Sequence, residues 1–127
     1  MNILLTGGAG YIGSHVVLSL LDGGNKVTII DNLISGNKEI LPENINFYNC
    51  NINNKEKIKE IIHSSNFDVL MHFAGFIKVE ESVSNPKKYF ENNTINSITL
   101  FETCLENNLK NIIFSSTAAV YGSPKNN

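Results

Sequence analysis

Two stretches of the sequence carry residue types and spacings able to do chemistry. The first is TGGAGYIG, Thr6 to Gly13, which spaces glycines as GxGxxG at Gly8, Gly10 and Gly13 and equally as GxxGxxG at Gly7, Gly10 and Gly13. Glycines at such spacing let a backbone turn tightly, approach a pyrophosphate and bring a following helix against the preceding strand. The N–H groups and positive dipole end of that helix then hold the anion. Asp31, closing VTIID, stands where a carboxylate accepts both hydroxyls of an adenosine ribose and repels a 2′-phosphate. All ten basic residues are Lys. With no Arg to offset that repulsion or to clamp a phosphate in two-point fashion, NAD is expected over NADP, and any phosphate site must use backbone amides.

The second stretch is IIFSSTAAVYGSPKNN, at the end of the chain. An apolar run gives way to Ser115, Ser116 and Thr117, and Tyr121 and Lys125 follow at YxxxK spacing. Four residues make about one helical turn, so a helix here would put phenol and ammonium on one face. Gly122, Ser123 and Pro124 intervene, and proline disfavours helical geometry at the residue before it and lacks a donor. A loop is therefore expected, with the spacing a match out of context.

These residues need a scaffold, and the chain supplies an alternating one. Candidate strands are Ile3 to Thr6, Lys26 to Asp31, Ile45 to Asn49, Val69 to Phe73 and Ile112 to Ser115, continuous apolar runs of the kind buried on both faces of a parallel sheet. Helices are expected from about Tyr11 to Leu21, from Lys55 to His63 with Ile58, Ile61 and Ile62 inward, and from Pro86 to Glu106. In the last, Phe90, Thr94, Ile98, Phe101 and Leu105 form one apolar stripe. The order βαββαβαβ implies a doubly wound, Rossmann-like α/β sheet. In such a sheet ligands lie off the carboxyl ends of the strands, so HFAG, His72 to Gly75, faces the same crevice as the glycine turn. Its small residues let backbone approach a cofactor, and the lesser reading is an ordinary strand exit.

At 127 residues and 42% hydrophobic content, one domain is expected, burying roughly two-thirds of its surface. A net charge of −2 and scattered lysines point to neither nucleic acid nor membrane. Cys50 and Cys104 are isolated thiols, read as reduced, and the apolar start is too short for a signal peptide or span. A cytoplasmic protein is expected. His72 reads as a satisfied strand-end histidine and His15 and His63 as helical, with no carboxylate cluster to suggest a metal site.

TGGAGYIG, DNL at Asp31 to Leu33, HFAG, ESV followed by Pro86 and YFENN, and FSSTAAVYG occur in one order along the whole chain. The ordered set closely resembles the UDP-glucose 4-epimerases, a family within the extended short-chain dehydrogenase/reductases. The resemblance implies a tightly held NAD that takes hydride from C4 of a UDP-hexose, a 4-keto sugar that rotates, and hydride return to its other face. It also implies a Tyr phenolate as base, a Lys that lowers its pKa, and a Ser or Thr hydroxyl as proton relay, a position Thr117 occupies.

Carried over motif by motif, the resemblance implies cofactor contacts at Gly7, Gly10, Tyr11, Ile12 and Gly13, at Asp31, Asn32, Ser35 and Gly36, at Phe73, Ala74 and Gly75, and at Asn92 and Ser115. Asn51 and Ile52 stand where the family shows Asp and an aliphatic residue near adenine. Two places after HFAG, Ile77 stands where the family often has Lys, and Lys78 follows. In related dehydratases and decarboxylases an acidic residue follows the Thr within two places; here Ala118 and Ala119 follow, which favours epimerisation.

The family's Tyr and Lys come a couple of dozen residues after VYG on a separate helix. The resemblance therefore implies residues 1–127 as an incomplete NAD-binding domain, cut after about the fifth strand and without its substrate domain. Such a fragment is expected to turn over negligibly alone, and the full-length relative to be a homodimer. The alternative of another class is an NAD-binding module that catalyses nothing.

Overall fold

A computed structural model describes residues 1–122. Five parallel strands, β1 (Asn2–Thr6), β2 (Lys26–Asp31), β3 (Asn46–Asn49), β4 (Val69–His72) and β5 (Ile112–Phe114), make one sheet in the order β3-β2-β1-β4-β5. The helices are α1 (Tyr11–Asp22), α2 (Lys55–Ser64), α3 (Val79–Ser84), α4 (Pro86–Phe90) and α5 (Asn96–Glu106), with a π-turn, Glu91–Ile95, between the last two. The doubly wound α/β fold expected from the sequence is the fold observed.

Alternation along each strand sends neighbouring side chains to opposite faces, and both faces are apolar. Leu4, Ile30 and Leu70 face Ile58, Ile61 and Ile62 of α2 and Leu100 and Cys104 of α5. Leu5, Val27 and Ile29 face Val17 of α1. Asparagines start two of the helices: Asn54 accepts from the Lys57 N–H at 3.1 Å, and Asn85 accepts from the Lys88 N–H at 3.3 Å with Pro86 at the first turn.

The chain leaves β1 to build β2 and β3 on one side and returns to build β4 and β5 on the other, so β1 and β4 flank the point where the winding reverses. Across it, Thr6 pairs with Ile30 on one side and His72 on the other, and His72 pairs with Phe114. Gly7, Asp31, Phe73 and Ser115 are thereby brought to one edge of the sheet.

The long helix departs from expectation. Its apolar stripe points outward: Phe90 is 67% exposed, Ile98 51% and Leu105 51%, with only Phe101 of the apolar set half-buried. The inward face of α5 is Ser97, Leu100, Thr103 and Cys104. Small side chains let the helix lie close to the sheet and α2, and the hydroxyls bond back along the chain, Thr103 to the Thr99 carbonyl at 2.7 Å. At the π-turn the Asn96 N–H reaches back five residues to the Glu91 carbonyl, so no single 3.6-residue period runs from Pro86 to Glu106. Helix α3, which periodicity did not signal, leaves Val79 and Val83 exposed as well. No helix among the described residues is long and apolar enough to cross a membrane.

The inverted face predicts a contrast between neighbours. Leu100→Ala should cost about 2–5 kcal/mol of unfolding free energy in a urea titration, and Ile98→Ala under about 1 kcal/mol.

Candidate functional site

The turn between β1 and α1 is shaped by close backbone approach. Gly7 has φ +75°, and a Cβ there would lie 2.5 Å from the Ala74 nitrogen, so the turn presses directly on the β4 exit. A Cβ on Gly13 would lie 2.1 Å from the Gly7 carbonyl oxygen, which is how closely α1 approaches the end of β1. Gly10 takes the cap position, and no side chain caps the helix. The N–H groups of its first turn, at Tyr11, Ile12 and Gly13, therefore point along the axis without an intrahelical partner. The Tyr11 and Ile12 side chains are exposed, leaving their backbone as the part facing the crevice.

Asp31 lies against this turn. Its carboxylate accepts the Ala9 N–H at 3.0 Å and the Leu33 N–H at 2.8 Å, with the residue 9% exposed. Two amides account for two of roughly four lone-pair sites, so the group retains acceptor capacity. The following loop folds back over the turn, its Asn37 N–H donating to the Ala9 carbonyl at 2.9 Å, with Gly36 packed on Ala9 and Asp31 and Ser35 exposed. Asn32 reaches across to Asn51, Nδ2 to Oδ1 at 2.7 Å, so those two expected site residues touch. Ile52 differs: its side chain is buried in the core beside Ile58, and only its backbone is left for the crevice.

On the far side, His72 ends β4 and is 1% exposed. Both ring nitrogens are bonded, Nδ1 to the Thr6 hydroxyl at 2.6 Å and Nε2 to the Ser97 hydroxyl at 2.9 Å. Burial pushes its pKa down to about 4. Phe73, Ala74 and Gly75 then run past Gly7, and the Phe76 backbone is gripped by Asn93, Phe76 N–H to Oδ1 at 2.8 Å and Nδ2 to Phe76 O at 2.9 Å. Asn92 donates to the same Asn93 Oδ1 at 2.8 Å. Ile77 is 89% exposed and Lys78 opens α3; the Lys88 ammonium lies 4.8 Å from the Phe76 ring centroid and is paired with Glu81. That pairing, with the Tyr89 hydroxyl, holds the Glu81 carboxyl below its ordinary range.

At the β5 end the Ser115 N–H donates to the His72 carbonyl at 3.0 Å. Thr117 is exposed and opens a short 3-10 turn, Ala118–Tyr121, its hydroxyl accepting the Ala119 N–H at 3.2 Å. Tyr121 is 90% exposed; Ser123, Pro124 and Lys125, and so the YxxxK spacing, lie outside the described residues. Among the described residues no group of His, Cys, Asp or Glu could hold a metal. Sequence reading missed Thr6, Asn93 and Ser97. Asn93 had a visible signal in the ENN doublet, whereas Ser97 meets His72 only through the packing of α5.

The donor set fits an adenine dinucleotide on three counts: an uncapped helix start for a pyrophosphate, a carboxylate with free lone pairs at the next strand end, and no Cβ at Gly7 or Gly13. Residues 3–127 match the NAD dependent epimerase/dehydratase family. A UDP-glucose 4-epimerase of Yersinia enterocolitica is 46% identical over 132 residues, covering 98% of this chain and 39% of that protein. The crystal structure of a UDP-glucose 4-epimerase with UDP-glucose from Thermotoga maritima superposes with TM-score 0.88 at 40% identity, covering 94% of this chain and 38% of that one. A Thermus thermophilus UDP-glucose 4-epimerase in complex with NAD gives TM-score 0.87 at 34% identity over 92% and 38%.

His72 makes stability depend on pH. An unfolded histidine takes up a proton near pH 6.5 that the folded one refuses until about 4. Its contribution is therefore complete above about 6.5 and is lost as pH falls through that window, by about 3 kcal/mol. Denaturant titrations should show this slope in the parent and a flatter one in His72→Gln.

Proposed function

The chain belongs to the NAD dependent epimerase/dehydratase family, and from that premise we propose that it forms the NAD-holding part of a UDP-hexose 4-epimerase. One observation carries the reading: the uncapped start of α1 and the Asp31 carboxylate are clasped together through Ala9, at the point where the sheet reverses its winding. Supporting it, relatives that share 34–46% identity with nearly the whole chain are UDP-glucose 4-epimerases, one solved with NAD and one with UDP-glucose.

NAD, when bound, supplies the acceptor and donor of a hydride at C4 of the sugar. The chain's own residues hold and orient it. The Tyr11 and Ile12 N–H groups with Gly7, Gly10 and Gly13 receive the pyrophosphate, and Asp31 accepts the ribose hydroxyls, with Asn32, Ser35 and Gly36 around them. Asn51 and the Ile52 backbone lie at the adenine end. Phe73, Ala74, Gly75, Asn92 and Ser115 line the path toward Thr117, whose exposed hydroxyl serves as the proton relay. Among the described residues no Tyr is followed four places on by a Lys. The chain spans 38–39% of its relatives' length, and on this reading the 127 residues alone turn over no UDP-hexose. The outward stripe of Phe90, Ile98 and Leu105 offers a homodimer its contact surface.

A ligand raises a melting midpoint only if the folded state holds it, and at a hundred times its dissociation constant it adds about 2.7 kcal/mol of stability. NAD should raise the midpoint and NADP much less, and Asp31→Asn should narrow that preference. An equal response to both, or no response to NAD, would falsify the reading. Incubating the chain with NAD and UDP-galactose should yield no UDP-glucose; measurable conversion would sink the claim that it is inactive alone.

A further inference from the structure

We propose that Asn51, oriented by Asn32, sets the base specificity of the dinucleotide site: the pair turns a carboxamide N–H arm toward the base, so the site takes a 6-oxopurine dinucleotide as well as it takes NAD. The proposal rests on the reading of that site given above.

The sheet order places the base. The uncapped start of α1 follows β1, and the Asp31 carboxylate ends β2, the next strand, so a dinucleotide running from pyrophosphate to ribose crosses the sheet edge from β1 toward β2. One strand further in the same direction is β3, where Asn49 pairs with Asp31 before the chain turns away. Asn51 is exposed at that exit, and its Oδ1 lies 2.7 Å from Nδ2 of Asn32, the residue next to Asp31. A base attached to a ribose at Asp31 therefore meets Asn51.

Which arm of the Asn51 carboxamide the base meets is fixed from behind. A peptide N–H can only donate, so the Ile34 N–H, 3.1 Å from the Asn32 side chain, settles that the atom it meets is Oδ1. Asn32 is left with Nδ2 toward Asn51, and that group also only donates, so the Asn51 atom facing it is Oδ1. Asn51 thereby turns its own Nδ2 arm, with two protons to give, away from Asn32. A base edge meeting that arm must bring an acceptor. At C6 hypoxanthine brings an oxygen, whereas adenine brings an amino group that donates. Adenine can answer with its ring nitrogen N1, so NAD is held without being preferred. A carboxylate in the same place would only accept, and would sort the two bases strictly.

Two dinucleotides that differ only at C6 of the purine test this. Calorimetric titration of the 127-residue chain with NAD and with nicotinamide hypoxanthine dinucleotide should give dissociation constants within about threefold of each other. Asn51→Asp makes the group an acceptor alone and should move the ratio about tenfold toward NAD. Asn32→Asp acts from behind: both its oxygens only accept, so Asn51 must turn Nδ2 toward it and show Oδ1 to the base, and the ratio should again move toward NAD. Taking the ratio cancels any loss common to both ligands, including that from the added charge. A parent that prefers NAD by more than about threefold, or a ratio unmoved in either folded variant, would overturn the proposal; should one variant unfold, the parent ratio and the other variant decide. Binding of neither dinucleotide would sink the reading of the site and this inference with it. Tight binding of NAD with rejection of the hypoxanthine analogue would leave the site standing and overturn the inference alone.

Discussion

Everything at the carboxyl edge of the sheet depends on the Gly7 carbonyl. It accepts the Gly10 N–H at 3.1 Å, and a Cβ on Gly13 would come within 2.1 Å of it. That contact fixes how near α1 starts to β1, and the left-handed φ of Gly7 fixes how near the turn lies to Ala74. Three segments of chain converge there with backbone facing backbone. Asp31 can clasp Ala9, and the loop after it can close on the Ala9 carbonyl, because the turn presents both groups in that small space.

The polar groups in the interior follow the same economy. Ser97, Thr103, Thr6 and His72 are all buried, yet no buried side-chain polar atom among the described residues lacks a partner. An unpaired one would cost roughly 1–3 kcal/mol, so the hydroxyl-rich inner face of α5 is tolerable only with its bonds complete. It gains close approach in exchange, with Leu100 and Cys104 fully buried between the small side chains.

Features written in short spans of sequence were legible. The five strands, the inward trio Ile58, Ile61 and Ile62, the glycine turn and Asp31 each depend on neighbours a few residues away, and each appears where its pattern placed it. That the stripe of α4 and α5 faces outward could not be read, because periodicity reports that a helix has an apolar face and does not name the neighbour it meets. The π-turn then breaks the period itself. Thr6 and Ser97 escaped for a different reason: Thr6 and His72 are 66 residues apart and His72 and Ser97 are 25 apart, so the pairs exist only once β1, β4 and α5 are packed.

The bare start of α1 has a consequence for how an anion there would be governed by its surroundings. Peptide N–H groups do not titrate, carry no net charge and cannot be acylated or methylated as lysine can. An anion held by them answers to its own ionisation and to the lie of the backbone, with no side chain through which pH or covalent modification could tune the grip. Control over such a site has to come through geometry, by moving one of the three segments that meet at Gly7.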